Sequence, residues 1–262
     1  MIPEAFLREW REHTPWSSDR MVEQDLIICR SLVAIYSHPE LAQRLAFRGG
    51  TALHKLFLAP ARRYSEDIDL VQVEPGPIGP VFDALRDCLG SFLGKPQRKQ
   101  GPGVVTLNYR IPGARPSDPA LRLKVEINSR EHFTVLGPDH RTFSVASRWF
   151  AGTGTIQTYK VEELLGTKLR ALYQRRKGRD LFDLWLTLTS VDVERRLIVE
   201  CFKRYMDSMN LRVSGPEFRL NMRDKVIHPD FVHDMDNLLR PGEKFDIQEA
   251  HALVDREIIE LL

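Results

Sequence analysis

The run Leu121-Arg122-Leu123-Lys124-Val125-Glu126-Ile127-Asn128 alternates apolar and polar side chains without a break. Successive side chains of a β-strand point to opposite faces, whereas a helix would scatter this pattern around its circumference. The run therefore predicts a half-buried strand, with Leu121, Leu123, Val125 and Ile127 in a core and the polar set on the other face. Glu126 is the one acid on that polar face. Further strands are expected at Asp67–Val73 and Val104–Ile111, and a weaker one near Thr142–Ala146. Pro112–Pro119, rich in Pro and Gly, reads as a loop.

Helical periodicity takes over elsewhere. Arg20–His38 carries an apolar stripe, a second helix is expected after Pro39 and before Gly49, and Thr51–Leu58 and Ile78–Leu93 read as two more. From Lys160 onward nearly everything is helical: Val161–Gln174, Asp180–Thr189, Val193–Met209, Pro216–Lys225 and Ile247–Leu262. The expected organisation is α+β, with a core over residues 1–150 and a helical C-terminal domain over 151–262 that contributes to the active site. Gly152–Thr155 reads as a turn-like stretch at the boundary.

Bulk charge excludes little. Lys and Arg total 38 against 36 acids, a net charge of +2, so any nucleic-acid contact must come from local clustering. Cys29, Cys88 and Cys201 lie far apart without CxxC spacing, which argues against a zinc site or a disulfide framework and fits a reducing compartment. The first sixteen residues are too charged for a signal peptide, and no apolar run approaches the ~18 residues of a membrane span. A cytoplasmic protein with no membrane partner is expected.

The chemistry gathers around two short runs. On the strand predicted at Asp67–Val73, Asp67 and Asp69 point the same way while Ile68 and Leu70 enter the core. Two neighbouring carboxylates repel unless a cation lies between them. Mg²⁺, or Mn²⁺ in its place, takes one or two carboxylates and completes its shell with water and substrate phosphate oxygens. A two-metal site would activate an attacking hydroxyl and stabilise leaving pyrophosphate. It usually wants a third acid from a neighbouring strand, and Glu126 is the candidate. Gly49-Gly50-Thr51 precedes a helix, where backbone N–H groups can approach a phosphate closely and Thr51 can add a hydroxyl. It is not a P-loop, since no GxxxxGK[ST] occurs. Taken singly, each feature has an ordinary reading as a turn, a solvated strand end or a surface charge; their joint order is far more specific.

Three later features bear on the same chemistry. Lys168 falls in the apolar stripe Val161, Leu164, Leu165, Leu172, so it either snorkels to solvent or meets an anion such as a carboxylate or a triphosphate. Asp180 suits a helix N-terminus, while Asp183 is the better candidate for orienting Lys168 or a nucleotide. Arg170, Arg175, Arg176, Lys177 and Arg179, extended by Arg62 and Arg63, form either a solvated face or a track for phosphates. Ser65 lies on the face of the acids if the strand begins that early, and otherwise serves as a cap or turn residue. Phosphorylation there would add about two negative charges beside the acids and compete with an NTP.

The run Phe47-Arg48-Gly49-Gly50-Thr51-Ala52-Leu53, with Arg63-Tyr64-Ser65-Glu66-Asp67-Ile68-Asp69-Leu70, closely resembles the AbiEii toxin family. So does Lys168 with Lys177-Gly178-Arg179-Asp180-Leu181-Phe182-Asp183-Leu184. The resemblance covers about residues 45 to 190. It implies a polymerase-β-like nucleotidyltransferase core, a mixed sheet flanked by helices, followed by a helical C-terminal domain. It also implies a toxin of a type IV toxin–antitoxin pair that moves NMP from NTP to RNA, notably the tRNA 3′ acceptor end, and so blocks translation. Carried over by motif, Asp67 and Asp69 are metal ligands and Lys168 and Asp183 are further catalytic residues. The candidate NTP-binding residues are Gly49, Gly50, Thr51, Ser65 and Lys168. Glu126 is less secure, because the family position is often Asp. The implied partners are NTP, tRNA or another RNA, and a cognate antitoxin encoded nearby, for which Ser65 is a candidate point of action. Two other classes compete: transfer to a small molecule or a protein hydroxyl, as in AMPylation, and a non-catalytic nucleotide-binding module.

Overall fold

A computed structural model of the chain describes residues 2–14, 16–113 and 119–262. Of the loop expected at Pro112–Pro119, residues 114–118 lie outside the described residues. The chain forms two compact units. The first comprises Met1–Leu56, Tyr64–Phe133 and Pro138–Tyr159; the second comprises Phe57–Arg63, Thr134–Gly137 and Lys160–Leu262.

The first unit is built on a seven-stranded mixed sheet. In chain order its strands are β1 Leu45–Arg48, β2 Asp67–Gln72, β3 Gln97–Gly101, β4 Val104–Ile111, β5 Leu121–Asn128, β6 Pro138–Ala146 and β7 Ala151–Tyr159. They lie in the order β3-β4-β5-β2-β1-β7-β6. β2 runs parallel to β5 and β1 parallel to β7, and the remaining neighbours are antiparallel. The architecture is α+β.

Alternation in β5 sets the faces of this sheet. Leu123, Val125 and Ile127 sit in register with Tyr109, Leu107 and Val105 of β4, and Val125 and Ile127 with Ile68 and Leu70 of β2. All of these are at most 1% exposed. Each such side chain contributes about 1.5–3 kcal/mol on full burial. A one-residue slip would turn the whole set to the other face, so the register is strongly specified. The opposite face carries Asp67, Asp69, Lys124 and Glu126.

Among the described residues, five helices belong to this unit: α1 Glu4–His13, α2 Asp19–Ser37, α3 Pro39–Arg44, α4 Gly49–Leu56 and α5 Ile78–Leu93. Two stretches depart from expectation. The helix after Pro39 stops at Arg44, and residues 45–48 become β1, because Leu45, Ala46 and Phe47 pair with Gln72, Val71 and Leu70. An apolar run this short carries no period of its own. Gly152–Thr155 is no turn but the middle of β7. A Cβ at Gly152 would lie 3.0 Å from Val33 of α2, so the glycine admits a close approach of helix to strand.

The second unit holds α6 Val161–Gln174, α7 Gly178–Ser190, α8 Arg195–Asp207, α9 Gly215–Lys225, α10 Pro229–Val232 and α11 Ile247–Glu257. α6 and α8 pack closely because a Cβ at Gly166 would fall 2.5 Å from Cys201 Cβ. The fully buried Glu163 ties residues 134–136 to these helices. Its carboxylate accepts from Thr134 Oγ1 at 2.8 Å, from the N–H groups of Val135 and Leu136 at 2.9 Å each, and from Tyr205 Oη at 2.8 Å. Among the described residues, no helix is long and apolar enough to cross a membrane.

One buried ion pair fixes α4 in the first unit. Asp25 of α2 is 2% exposed and accepts from Lys55 Nζ of α4 at 2.6 and 2.7 Å. Trp10 Nε1 at 3.3 Å, Trp16 Nε1 at 3.1 Å and Cys29 Sγ at 3.6 Å also donate to it. Burial alone would lower the Lys55 pKa, but Asp25 more than offsets it, and the net shift is upward. Removing one partner of such a pair strands a buried charge, at a cost of about 3–5 kcal/mol. Asp25→Ala is therefore expected to lose about that much stability in urea unfolding, and adding Lys55→Met should recover part of it. A loss below ~1 kcal/mol would mean that the pair does not anchor α4.

Candidate active site

Register brings the acids together. Asp67 lies beside Lys124 of β5, which lies opposite Asn108 of β4. Asp69 lies beside Glu126, which lies opposite Thr106, and on its other side faces Arg48 of β1. Residues paired across strands share a face, so Asp67, Asp69 and Glu126 project from the same polar surface.

Only a little positive charge offsets these three carboxylates. Lys124 Nζ sits 3.0 Å from Asp67 Oδ2 and 3.5 Å from Glu126 Oε2. Burial raises the Asp67 carboxyl above its ordinary value although Lys124 opposes the shift. Burial, and then the charge of Asp67, raise Asp69 against the pull of Lys124 and Arg48. Arg48 is itself ion-paired with Glu131. The ammonium of Lys124 thus occupies the neighbourhood where a cation is needed, and burial of Lys124 is outweighed by the acids, which raise its pKa.

The donor set fits a hard divalent ion in part. Asp67 and Asp69 offer carboxylate oxygens from one face, the ligand number Mg²⁺ commonly takes from protein when substrate phosphates supply the rest. Glu126 stands in register with Asp69, but its carboxylate lies toward Lys124. Among the described residues, no group of three or more His, Cys, Asp or Glu side chains is placed to hold a metal ion. The fit therefore rests on the aspartate pair.

The glycine turn closes against the same pair. Gly49 opens α4 with φ +81°, a left-handed conformation that favours glycine. A Cβ there would collide with Asp69 Oδ2 and lie 3.1 Å from its Cγ. The backbone can thus lie directly against the carboxylate only because the side chain is absent. The first N–H groups of α4 have no partner within the helix and are suited to an anion. Thr51, 1% exposed, plays a different part from the one its hydroxyl suggested. Its Oγ1 donates to the Asp67 carbonyl at 2.5 Å and lies 2.7 Å from Ser65 Oγ. With its one proton committed to Asp67, the Thr51 hydroxyl accepts from Ser65. Ser65 precedes β2 and is half-buried.

Lys168 and Asp183 lie in the second unit, in a buried ionic network. Lys168, 6% exposed, does not snorkel; its Nζ lies 3.1 Å from Asp180 Oδ1 and 2.8 Å from Asp183 Oδ2. Each acid is also gripped by an arginine fork. Arg63 donates to Asp183 at 2.6 and 2.7 Å, and Arg175 to Asp180 at 2.6 and 2.8 Å. Burial would raise Asp180, but Lys168 and Arg175 hold it below its ordinary value.

This network corrects the reading of the basic cluster. Arg63, 2% exposed, is a core residue and no part of a surface track. Arg175 is committed to Asp180, Lys177 and Arg179 pair with Asp234, and Arg170 lies over the Tyr205 ring. Sequence reasoning also passed over Lys124 and Arg48, whose relation to the acids appears only once strand register is known.

Gly49→Ala tests the turn. It is expected to lose stability by at least ~1–2 kcal/mol, because alanine is strained at this φ and its methyl meets Asp69. A thermal melt unchanged from the wild type would mean that the backbone need not approach the carboxylate.

Comparisons with known proteins agree with this architecture. The structure resembles MenT4, a nucleotidyltransferase toxin from Mycobacterium tuberculosis H37Rv, with a TM-score of 0.64 and 17% identity over 100% of this chain and 90% of that one. It also resembles JHP933 from Helicobacter pylori, with a TM-score of 0.56 and 18% identity over 93% of this chain and 92% of that one. At such identity the likeness speaks for the fold alone. No curated protein matches the chain by sequence. The family model for the nucleotidyl transferase AbiEii toxin of type IV toxin–antitoxin systems matches residues 30–253. That match spans most of the chain, and the chain belongs to the AbiEii nucleotidyltransferase toxin family.

Proposed function

We propose that this toxin transfers a nucleoside monophosphate from an NTP to an RNA hydroxyl, with the tRNA 3′ acceptor end as the preferred target and Mg²⁺ or Mn²⁺ as the cofactor. The observation that carries the reading is the register that sets Asp67 and Asp69 on one face, with Gly49 directly against Asp69. In the reaction the acceptor oxygen bonds to the α-phosphorus, the bond from that phosphorus to the β-phosphate oxygen breaks, pyrophosphate departs and the hydroxyl proton passes to solvent. A bound divalent ion supplies Lewis-acid stabilisation of charge on the phosphates. Asp67 and Asp69 would hold it. The open backbone at Gly49 and Gly50 and the N–H of Thr51 receive phosphate oxygens. Lys124 balances the acids while the site is unliganded. Glu126 serves as a third acid only if its carboxylate leaves Lys124.

Lys168 and Asp183 enter the proposal through the family motif. Without Lys168, two arginine forks would still face two carboxylates, so the second unit keeps a balanced core. Lys168→Ala is accordingly expected to stay folded by circular dichroism yet lose transfer. Retained transfer would confine Lys168 to a structural role.

The assay for the whole reading incubates purified protein with each labelled NTP and tRNA. Label should enter tRNA and disappear on chelation of divalent ions or with Asp69→Asn, a loss of at least about a hundredfold. Label in protein or a small molecule instead, with none in RNA, would replace the acceptor while keeping the chemistry. NTP binding with no turnover would leave only a binding module.

Ser65 is the proposed point of control by the antitoxin. A phosphate on its oxygen would remove the proton now donated to Thr51 and add about two negative charges near Asp67. Ser65→Asp should therefore cut transfer strongly while Ser65→Ala cuts it less. Full activity of Ser65→Asp would reject this control point.

A further inference from the structure

The polar sheet face that carries the aspartates continues along β4 and β5 to a row formed by Arg110 and Arg122, which lie directly opposite each other. Both side chains are exposed. Like charges facing each other across an antiparallel pair are destabilising. Within the β4–β5 pair the diagonal positions hold no acid: Lys124 and Ala120 for Arg110, and Asn108 and Pro112 for Arg122. Toward β2 the diagonal from Arg122 leads to Asp67, which is ion-paired with Lys124. Among the described residues, no carboxylate pairs with either guanidinium. The ammonium of Lys124 is already turned to Asp67. Among the described residues, two guanidiniums thus stand adjacent and exposed on this face without an ion-pair partner.

Polyanions reward such an arrangement. A guanidinium binds phosphate through two parallel N–H groups, and cations on an open face make sequence-independent contacts to a nucleic-acid backbone. Strand rise places the arginine row about 7 Å from the Asp67–Lys124 row and about 14 Å from the Asp69–Glu126 row. At the ~3.4 Å rise of a stacked strand this is on the order of two to four nucleotides. The basic cluster near α7, the alternative track for phosphates, is largely committed to Asp180 and Asp234.

We propose that Arg110 and Arg122 dock the backbone of the acceptor RNA, gripping phosphates a few nucleotides from the reacting end. The inference rests on RNA as the acceptor and adds the surface that receives it. Its prediction separates RNA phosphates from those of the NTP.

The test compares wild type, the double variant Arg110→Gln/Arg122→Gln, and Arg110→Glu. Total tRNA binding is measured by fluorescence anisotropy across a salt series without NTP, alongside transfer kinetics and thermal melts. The double variant should bind tRNA roughly tenfold or more weakly, with a log–log salt slope shallower by about 1.4–1.8, as expected for two lost phosphate contacts. Its KM for NTP should not change. Arg110→Glu should bind tRNA at least as poorly yet melt at a higher temperature, because an opposite-charge pair replaces a like-charge one. A purely structural role would lower that melting temperature instead, and overturns the proposal. A raised KM for NTP with unchanged tRNA affinity reassigns the pair to the triphosphate and also overturns it. If wild type binds and labels tRNA and the variants do so equally, this surface is wrong while the acceptor stands. If wild type neither binds nor labels tRNA, the acceptor itself is wrong and the surface falls with it.

Discussion

Strand β2 is held on one side by antiparallel β1 and on the other by parallel β5, and that double pairing decides where its acids point. The apolar half of the lock is Ile68 and Leu70 against Val125 and Ile127, all buried. Its polar half follows without further cost, since alternation must deliver Asp67, Asp69, Lys124 and Glu126 to the other side. Burial on one face therefore organises charge on the other. The same pairing brings Arg48, and after it Gly49, beside Asp69, so one register assembles both the acids and the turn.

The second unit manages charge differently. Two buried aspartates share Lys168 and each holds its own arginine fork. Buried carboxylates are tolerable only when paired and hydrogen-bonded. Glu163 meets the same condition with neutral donors, four of them on one carboxylate. The motif residues of α7 are thus core residues as well as candidates for chemistry, and a phenotype on mutating them speaks to function only when folding is measured beside it.

Much of this was legible in the sequence. Val104–Ile111, Leu121–Asn128, Ile78–Leu93 and Val161–Gln174 have the bounds that their periodicity marks. Other elements escaped for identifiable reasons. β1 is four residues long and reads as the tail of a helix. β3, Gln97–Gly101, is exposed along its whole length and has no apolar face to betray it. β7 hides behind Gly152 and Gly154, which look like turn residues until a helix is found lying against them. At the candidate site, Asp67, Asp69, Gly49 and Gly50 stand out by spacing and motif. Lys124, Arg48 and the Arg110–Arg122 pair do not, because cross-strand neighbours are far apart in sequence. Arg63 was misjudged because an arginine beside Arg62 looks like surface until its partner, 120 residues away, is known.

The two units are interleaved along the chain: six segments alternate between them, so the backbone passes from one to the other five times. The helical unit borrows Phe57–Arg63 and Thr134–Gly137 from the interior of the sheet-bearing portion. Those borrowed pieces are not decoration, since one brings the guanidinium that Asp183 needs and the other brings three of the donors that Glu163 needs. A C-terminal fragment beginning at Lys160 would leave Asp183 with Lys168 but no arginine fork, and Glu163 with Tyr205 as the one remaining donor of its four. Arg63 emerges from the ribosome well before the acid that claims it. A chain that stops before α7 therefore carries Arg63 without its carboxylate partner, and this core is balanced only once both distant segments have been made.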